Sequence, residues 1–162
     1  MSRAERGFEY ESVLVAYEDG HFAPEVISTA VKLAARRRRG IHVLVTITVP
    51  RSARLDRPMP EEELAAQAII ERARLLGGRR VTGRSEKVRP GEAGRVIVNA
   101  ARRMAAEAIV MPLPPRRRHR LFGRTIATVL AERPCRVIIE AGPADGAESA
   151  SLRADVLPQL SR

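Results

Sequence analysis

The order of apolar and polar positions predicts alternating strands and helices. Five short apolar runs are typical of strands, at residues 12–17, 41–49, 81–88, 108–111 and 135–140. Between them lie four segments whose apolar residues recur every three or four positions, as in amphipathic helices. Strands that alternate with helices pair in parallel through right-handed crossovers. The chain is therefore predicted to be an α/β protein, a doubly wound five-stranded parallel sheet with helices on both faces.

Positional signals refine the predicted elements. The first helix should begin at Pro24 and carry Arg36–Arg39 in its last turn, with Gly40 ending it. The second should begin at the acidic Glu61–Glu63 and stop at Gly77. Its inward face is predicted to consist of Leu64, Ala68, Ile69, Ala73 and Leu76. The strand at residues 81–88 is interrupted by one glycine and several charges, which predicts a sheet edge.

Length and composition fit one domain with an aliphatic core. The chain has 162 residues, of which 44% are hydrophobic, and it contains no Trp. We expect an N-terminal extension (1–10), the α/β domain (11–141) and a flexible C-terminal tail (142–162). No apolar run is long enough for a membrane helix, and the charged N-terminus does not resemble a secretory signal. With Cys135 as the single cysteine, a cytoplasmic location is expected.

The strong positive charge suggests an anionic partner. The net charge is +10, from 29 basic and 19 acidic residues. Only Lys32 and Lys87 are lysines, so part of this excess reflects a compositional bias towards arginine. Binding to nucleic acid or to an anionic surface is one hypothesis, but the scarcity of aromatics and the absence of a reading motif disfavour nucleic acid. The placement of the arginines is more informative than their number.

Candidate chemistry gathers at the predicted carboxyl ends of three strands. Open α/β sheets bind ligands there, where the strand order reverses. Glu18 and Asp19 follow the first strand, and Val88 ends the third. The fourth strand leads into "MPLPPRRRHRLFGRT" (111–125), which places five arginines just before a helix, without one acidic residue. Arginines beside a helix N-terminus suit phosphate, and an acid suits ribose hydroxyls, although Glu18 and Asp19 are equally compatible with an ordinary turn.

These segments resemble the universal stress protein family over about residues 11–140. The resemblance rests on "VLVAYEDG", "AVKLAARRRRGIHVLV", "VRPGEAGRVIVNAA", "AEAIVMP" and, most specifically, "FGRTIATVLAERPCRVII". It implies strand order 3-2-1-4-5, a homodimer formed through the last strand, and binding of ATP or another adenine nucleotide. It also implies an acid after strand 1, where Glu18 stands in place of the usual Asp.

The chain departs from the family's phosphate-binding pattern, Gly-x2-Gly-x9-Gly-Ser/Thr. Pro112 and Pro115 replace the first two glycines, and the stretch to Gly123 is two residues shorter. Proline offers no backbone N–H to a phosphate. Either the arginines replace those donors for a different phosphate ligand, such as cyclic di-AMP, or nucleotide binding has been lost and the arginines are solvated.

The resulting hypothesis is a non-enzymatic regulatory module that binds an adenine nucleotide and signals to a partner such as a membrane transporter. No catalytic motif, metal-ligand spacing or cofactor requirement is evident. The alternatives are a structural dimeric adaptor without nucleotide and the anionic-surface binder. The candidate ligand-binding residues are Ala16, Tyr17, Glu18, Asp19, Val45, Val88, Met111, Arg116, Arg117, Arg118, Gly123, Arg124 and Thr125.

Overall fold

Strands and helices alternate throughout the part of the chain that the structure describes. The computed structural model describes residues 9–34, 40–114 and 123–142. The elements are β1 (Val13–Glu18), α1 (Pro24–Leu33), β2 (Ile41–Thr48), α2 (Pro60–Gly77), β3 (Val81–Val88), α3 (Ala93–Arg103), β4 (Ala108–Pro112), α4 (Arg124–Glu132) and β5 (Arg136–Glu140). A 3₁₀ turn, Gly78–Arg80, connects α2 to β3. Most boundaries lie within one or two residues of the predicted ones.

The five strands form one parallel sheet in the order β3-β2-β1-β4-β5. Strand β1 is central and pairs with β2 from Val13↔Ile41 to Glu18↔Thr46, and with β4 from Val13↔Ala108. Strand β3 pairs only with β2, so it forms an edge, as its interrupted sequence predicts. The predicted fold class and strand order are confirmed.

Alternate residues of β1 supply two separate cores. Val13, Val15 and Tyr17 belong to a core with apolar residues of α1 and α2. Leu14 and Ala16 belong to a second core with residues of α3 and α4. All five side chains are fully buried, because helices cover the central strand on both faces.

Helix α2 turns a different face to the sheet from the predicted one. Its buried residues are Ala66, Ile69, Ile70 and Ala73, whereas Leu64 and Leu76 are about half exposed. The two small alanines bring the helix close to the sheet, and Ile70 packs over Gly83, where an added Cβ would lie 2.6 Å from the Ile70 Cγ2 atom. The inclusion of Leu64 and Leu76 in the inward face was therefore wrong.

Helix α1 ends earlier than its charge pattern predicts. Ala34 is already extended and forms a parallel bridge with Tyr10, whose N–H donates to the Leu33 carbonyl at 2.7 Å. The Tyr10 N–H thus occupies the Leu33 carbonyl, which in a longer helix would accept a hydrogen bond from within the helix. Arg36–Arg39 lie outside the described residues, as do most of the predicted extension and tail. No helix described here is long and apolar enough to span a membrane.

The buried face of α2 predicts which of its residues contribute to the free energy of unfolding. Ile69→Ala should lower the free energy of unfolding by about 2–5 kcal/mol, because it empties part of a sealed core. Leu76→Ala, on the exposed side of the same helix, should change it by less than about 0.5 kcal/mol. Urea unfolding followed by circular dichroism measures both. Equal losses for the two variants would contradict this packing.

Candidate functional site

The switch point of the sheet lies between β1 and β4. From β1 the chain builds β2 and β3 on one side, then crosses back to build β4 and β5 on the other. The carboxyl ends of β1 and β4 are therefore neighbours whose following loops diverge, and this is where open α/β sheets generally bind ligands. Glu18 ends β1 and Pro112 ends β4 at this position. Pro112 is part of the strand, and Leu113 continues the pairing by donating its N–H to the Glu140 carbonyl at 2.6 Å.

A side-chain hydrogen bond crosses the switch point. The Thr125 hydroxyl, in the first turn of α4, donates to the Glu18 Oε1 atom at 2.5 Å. Burial raises the pKa of the Glu18 carboxyl; the bond from Thr125 opposes this rise, Asp19 adds to it and His21 opposes it. The structure thus brings together two of the residues that the sequence selects, and it gives one of them an environment that disfavours its charge.

Asp19 has a different role in the geometry from its neighbour. Its backbone is left-handed, with φ of 46°, and its carboxylate accepts hydrogen bonds from Thr48 at both oxygens, from the N–H at 2.8 Å and from the hydroxyl at 2.9 Å. The Asp19 N–H donates to the Thr46 carbonyl at 2.9 Å. Asp19 therefore ties the loop after β1 to the end of β2. Thr48 was not selected from the sequence, because its partner becomes evident only from the strand register.

Five of the residues selected from the sequence have buried side chains. Four of them divide between the two cores: Tyr17 and Val45 face α1 and α2, whereas Ala16 and Met111 face α3 and α4. The Tyr17 hydroxyl donates to the Ala23 carbonyl at 2.8 Å, and burial raises the pKa of this phenol. Val88 is buried at the end of β3. The structure does not gather these five side chains on one open surface.

The N-termini of α3 and α4 lie side by side next to Thr125. Gly94, in the first turn of α3, packs so closely on α4 that an added Cβ would lie 3.0 Å from the Thr125 carbonyl oxygen and 2.7 Å from the Thr128 Cβ atom. The two helix N-termini are therefore neighbours, and each carries free N–H groups and a positive dipole end. Gly94 was also missed from the sequence, although a glycine inside a helical pattern often marks a close contact.

Arg124 adds a cation to this arrangement. Its guanidinium lies against the turn before α3, where a Cβ added to Gly91 would be 2.9 Å from the Arg124 Nη1 atom. The side chain is exposed and has no carboxylate partner among the described residues. Gly123 precedes it as the N-cap of α4 in an extended conformation. Arg116, Arg117 and Arg118 lie outside the described residues.

Other charged groups near the carboxyl ends of the strands are engaged within the protein. Arg89 donates from one nitrogen to the carbonyls of Pro50 and Ala53, at 2.8 and 2.7 Å. Lys87 pairs with Glu63 and donates to the Arg57 carbonyl. These side chains line an open groove of about 1040 Å³ beside the edge strand β3, away from the switch point. They secure the loop between β2 and α2.

The described residues also include potential metal-ligating side chains and a cysteine. Among the described residues no cluster of His, Cys, Asp and Glu could hold a metal ion. Cys135 is half-buried, and burial raises the pKa of its thiol, which disfavours the reactive thiolate.

Comparison with known proteins places the chain in a family. The model of the universal stress protein family matches residues 9–139, and the chain belongs to this family. Comparison with curated protein sequences gives no significant match.

Solved universal stress proteins share the fold at low sequence identity. One, crystallised in complex with cAMP, has a TM-score of 0.56 and 20% identity, over 83% of this chain and 98% of that one. Another, from Archaeoglobus fulgidus, has a TM-score of 0.57 and 22% identity, over 85% and 98%. A third, from Lactobacillus plantarum, has a TM-score of 0.52 and 15% identity, over 81% and 97%.

The environment of Glu18 predicts a pH-dependent stability. Because folding raises the pKa of Glu18 above its ordinary value of 4.5, ionisation of Glu18 weakens the folded state as the pH rises through the folded-state pKa. Glu18→Gln, which keeps an acceptor for Thr125, should therefore be more stable than wild type near neutral pH, and this advantage should disappear as the pH falls towards 4.5. Urea unfolding at a series of pH values measures the difference. A difference that stays constant with pH would contradict the assignment.

Proposed function

We propose that this protein is a non-enzymatic regulatory module of the stress response that binds an adenine nucleotide at the switch point. The observation that carries the proposal is the meeting of the β1 carboxyl end with the N-termini of α3 and α4, joined by the Glu18–Thr125 hydrogen bond. This position combines an acceptor for hydroxyl groups with donors and dipoles that favour phosphate. The related structure in complex with cAMP supports an adenine nucleotide as the ligand class.

Pro112, which replaces the first glycine of the family's phosphate-binding pattern, affects which nucleotide can bind. Pro112 lies within β4 and lacks an N–H, so it cannot contribute a backbone donor to a phosphate. Side-chain cations must then supply more of the phosphate contacts, and Arg124 stands at the start of α4 to do so. The proposed ligands are ATP, AMP, cAMP and cyclic di-AMP, with cyclic di-AMP favoured by the arginines at 116–118. The proposed location is cytoplasmic, and a membrane transporter is the proposed partner.

Calorimetric titration tests the ligand and the role of Arg124. We expect at least one of ATP, AMP, cAMP and cyclic di-AMP to bind, and Arg124→Ala to weaken that binding at least tenfold, which is about 1.4 kcal/mol. Arg103→Ala is the matched control, because it removes the same charge at the opposite end of α3. Equal effects of the two variants would indicate only a general loss of positive charge. Silence of wild type with all four ligands would refute nucleotide binding and favour the structural adaptor.

No strand of the described residues pairs with the outer edge of β5, and this supports a homodimer. Arg136 donates its N–H to the Glu107 carbonyl at 3.3 Å, and the Glu140 carbonyl accepts from Leu113, so these two residues turn their backbone groups towards β4. In a parallel strand the alternate residues, Val137 and Ile139, then present their backbone groups to the free edge. A second copy pairing there would satisfy them.

A single proline tests this proposed dimer. Ile139→Pro should convert the dimer to a monomer in sedimentation velocity, because it removes an outward N–H while leaving the donors and acceptors directed at β4. Ile139→Ala is the matched control, since it shortens the same side chain but keeps the N–H. A monomeric wild type, or a dimer unaffected by Ile139→Pro, would contradict pairing through β5.

A further inference from the structure

The Glu18–Thr125 hydrogen bond places a carboxylate where a bound phosphate would need a donor. Thr125 is the second residue of α4, so its hydroxyl lies among the free N–H groups of the first helical turn. A hydroxyl has a single proton to donate, and here that proton is directed to Glu18. A phosphate bound at Thr125 could not accept this proton while Glu18 holds it, and it would lie within a few ångströms of the negative charge of Glu18.

The length of the Glu18 side chain is what allows this contact. Glu18 and Asp19 are adjacent carboxylates at the end of β1, yet they reach opposite sides of the strand. Both carboxylate oxygens of Asp19 accept hydrogen bonds from Thr48 of β2, whereas the Glu18 side chain extends towards α4. An aspartate at position 18 would be shorter by one methylene group and would withdraw the carboxylate from Thr125.

We propose that the Glu18–Thr125 hydrogen bond is a charge gate for the nucleotide site. While Glu18 is ionised, the gate excludes a phosphate from the first turn of α4 and accepts only neutral, hydroxyl-bearing groups. When Glu18 takes up a proton, a phosphate binds there. Binding of an anionic nucleotide is therefore accompanied by uptake of a proton at Glu18. A neutral nucleoside binds without proton uptake. This inference rests on the proposed function and adds charge selectivity to that site.

The groups that face Glu18 are consistent with such a gate. Among the described residues, Asp19 and His21 lie on its own loop and act on it in opposite directions, while α4 contributes the Thr125 hydroxyl. Arg124, at the start of α4, lies against Gly91 and is not among the groups that act on Glu18. Burial raises the pKa of Glu18, so the protonated form is accessible closer to neutrality than in an exposed glutamate.

Two probes of different charge test the gate. Adenosine is neutral, and cAMP is a phosphodiester whose single negative charge does not titrate near neutrality. Calorimetry from about pH 5 to about pH 8 gives the affinities, and titration in two buffers of different ionisation enthalpy counts the protons taken up. With wild type, cAMP should bind with proton uptake and at least tenfold more weakly at the higher pH. Adenosine should bind without uptake and independently of pH.

Two variants at position 18 complete the test. Glu18→Gln should bind cAMP without proton uptake, with an affinity that no longer falls at high pH, and Glu18→Asp should bind cAMP more tightly than wild type at high pH. Thermal unfolding establishes that both variants are folded. If cAMP binds to wild type without proton uptake, or if Glu18→Gln keeps the wild-type pH dependence, the charge gate is overturned while the proposed function stands. If neither probe binds to any of the three proteins at any pH, the charge gate is overturned, and the proposed function falls with it only if ATP, AMP and cyclic di-AMP also fail to bind.

Discussion

The burial of the first five residues of β1, Val13 to Tyr17, is the constraint on which the rest of the structure depends. Val13, Val15 and Tyr17 face one pair of helices, and Leu14 and Ala16 face the other. A strand with no exposed side requires neighbours at both edges and helices on both faces, which fixes the parallel sheet around it. Its first polar positions, Glu18 and Asp19, therefore emerge at the centre of the sheet edge and not at its periphery. The apolar composition of β1 thus determines where chemistry is possible.

Polar residues at this edge divide into those that build the loops and those that remain available. Asp19 and Arg89 have the charges expected of ligand-binding groups, but each is engaged with the protein, Asp19 with Thr48 and Arg89 with two backbone carbonyls. Glu18 and Arg124 differ: within the described part of the chain, the Glu18 carboxylate accepts its side-chain hydrogen bond from Thr125, and the Arg124 guanidinium lies against the turn at Gly91. The large positive charge of the chain is therefore a poor guide to the site, since part of it secures the architecture.

Much of the fold could be predicted from the sequence because its signals are local. Apolar runs, helical periodicity, Pro24 and Gly77 gave nearly every boundary, and the charges of β3 identified it as an edge. The rotation of α2 could not be predicted, because the depth of its contact depends on Gly83 in a strand that follows it along the chain. The end of α1 also depended on a distant partner, Tyr10.

The site was predictable in position but not in its internal bonds. Glu18 and Thr125 each stood out by sequence, and the parallel topology makes their loops neighbours. Three contacts depend on three-dimensional packing and could not be predicted. Thr125 donates to Glu18, Asp19 accepts from Thr48, and Gly94 allows α3 and α4 to touch.

Helices α3 and α4 contact each other at both of their ends. At the N-termini Gly94 meets the backbone of Thr125, and at the C-termini Arg102 pairs with Glu132 at 3.0 Å. Helix α4 has nine residues and is about 13 Å long, and a three-residue connection, which begins at the left-handed Arg133, joins it to β5. Contacts at both ends of so short a helix fix the position of Thr125 relative to α3. The same helix joins the switch point at its N-terminus to the outer strand of the sheet at its C-terminus.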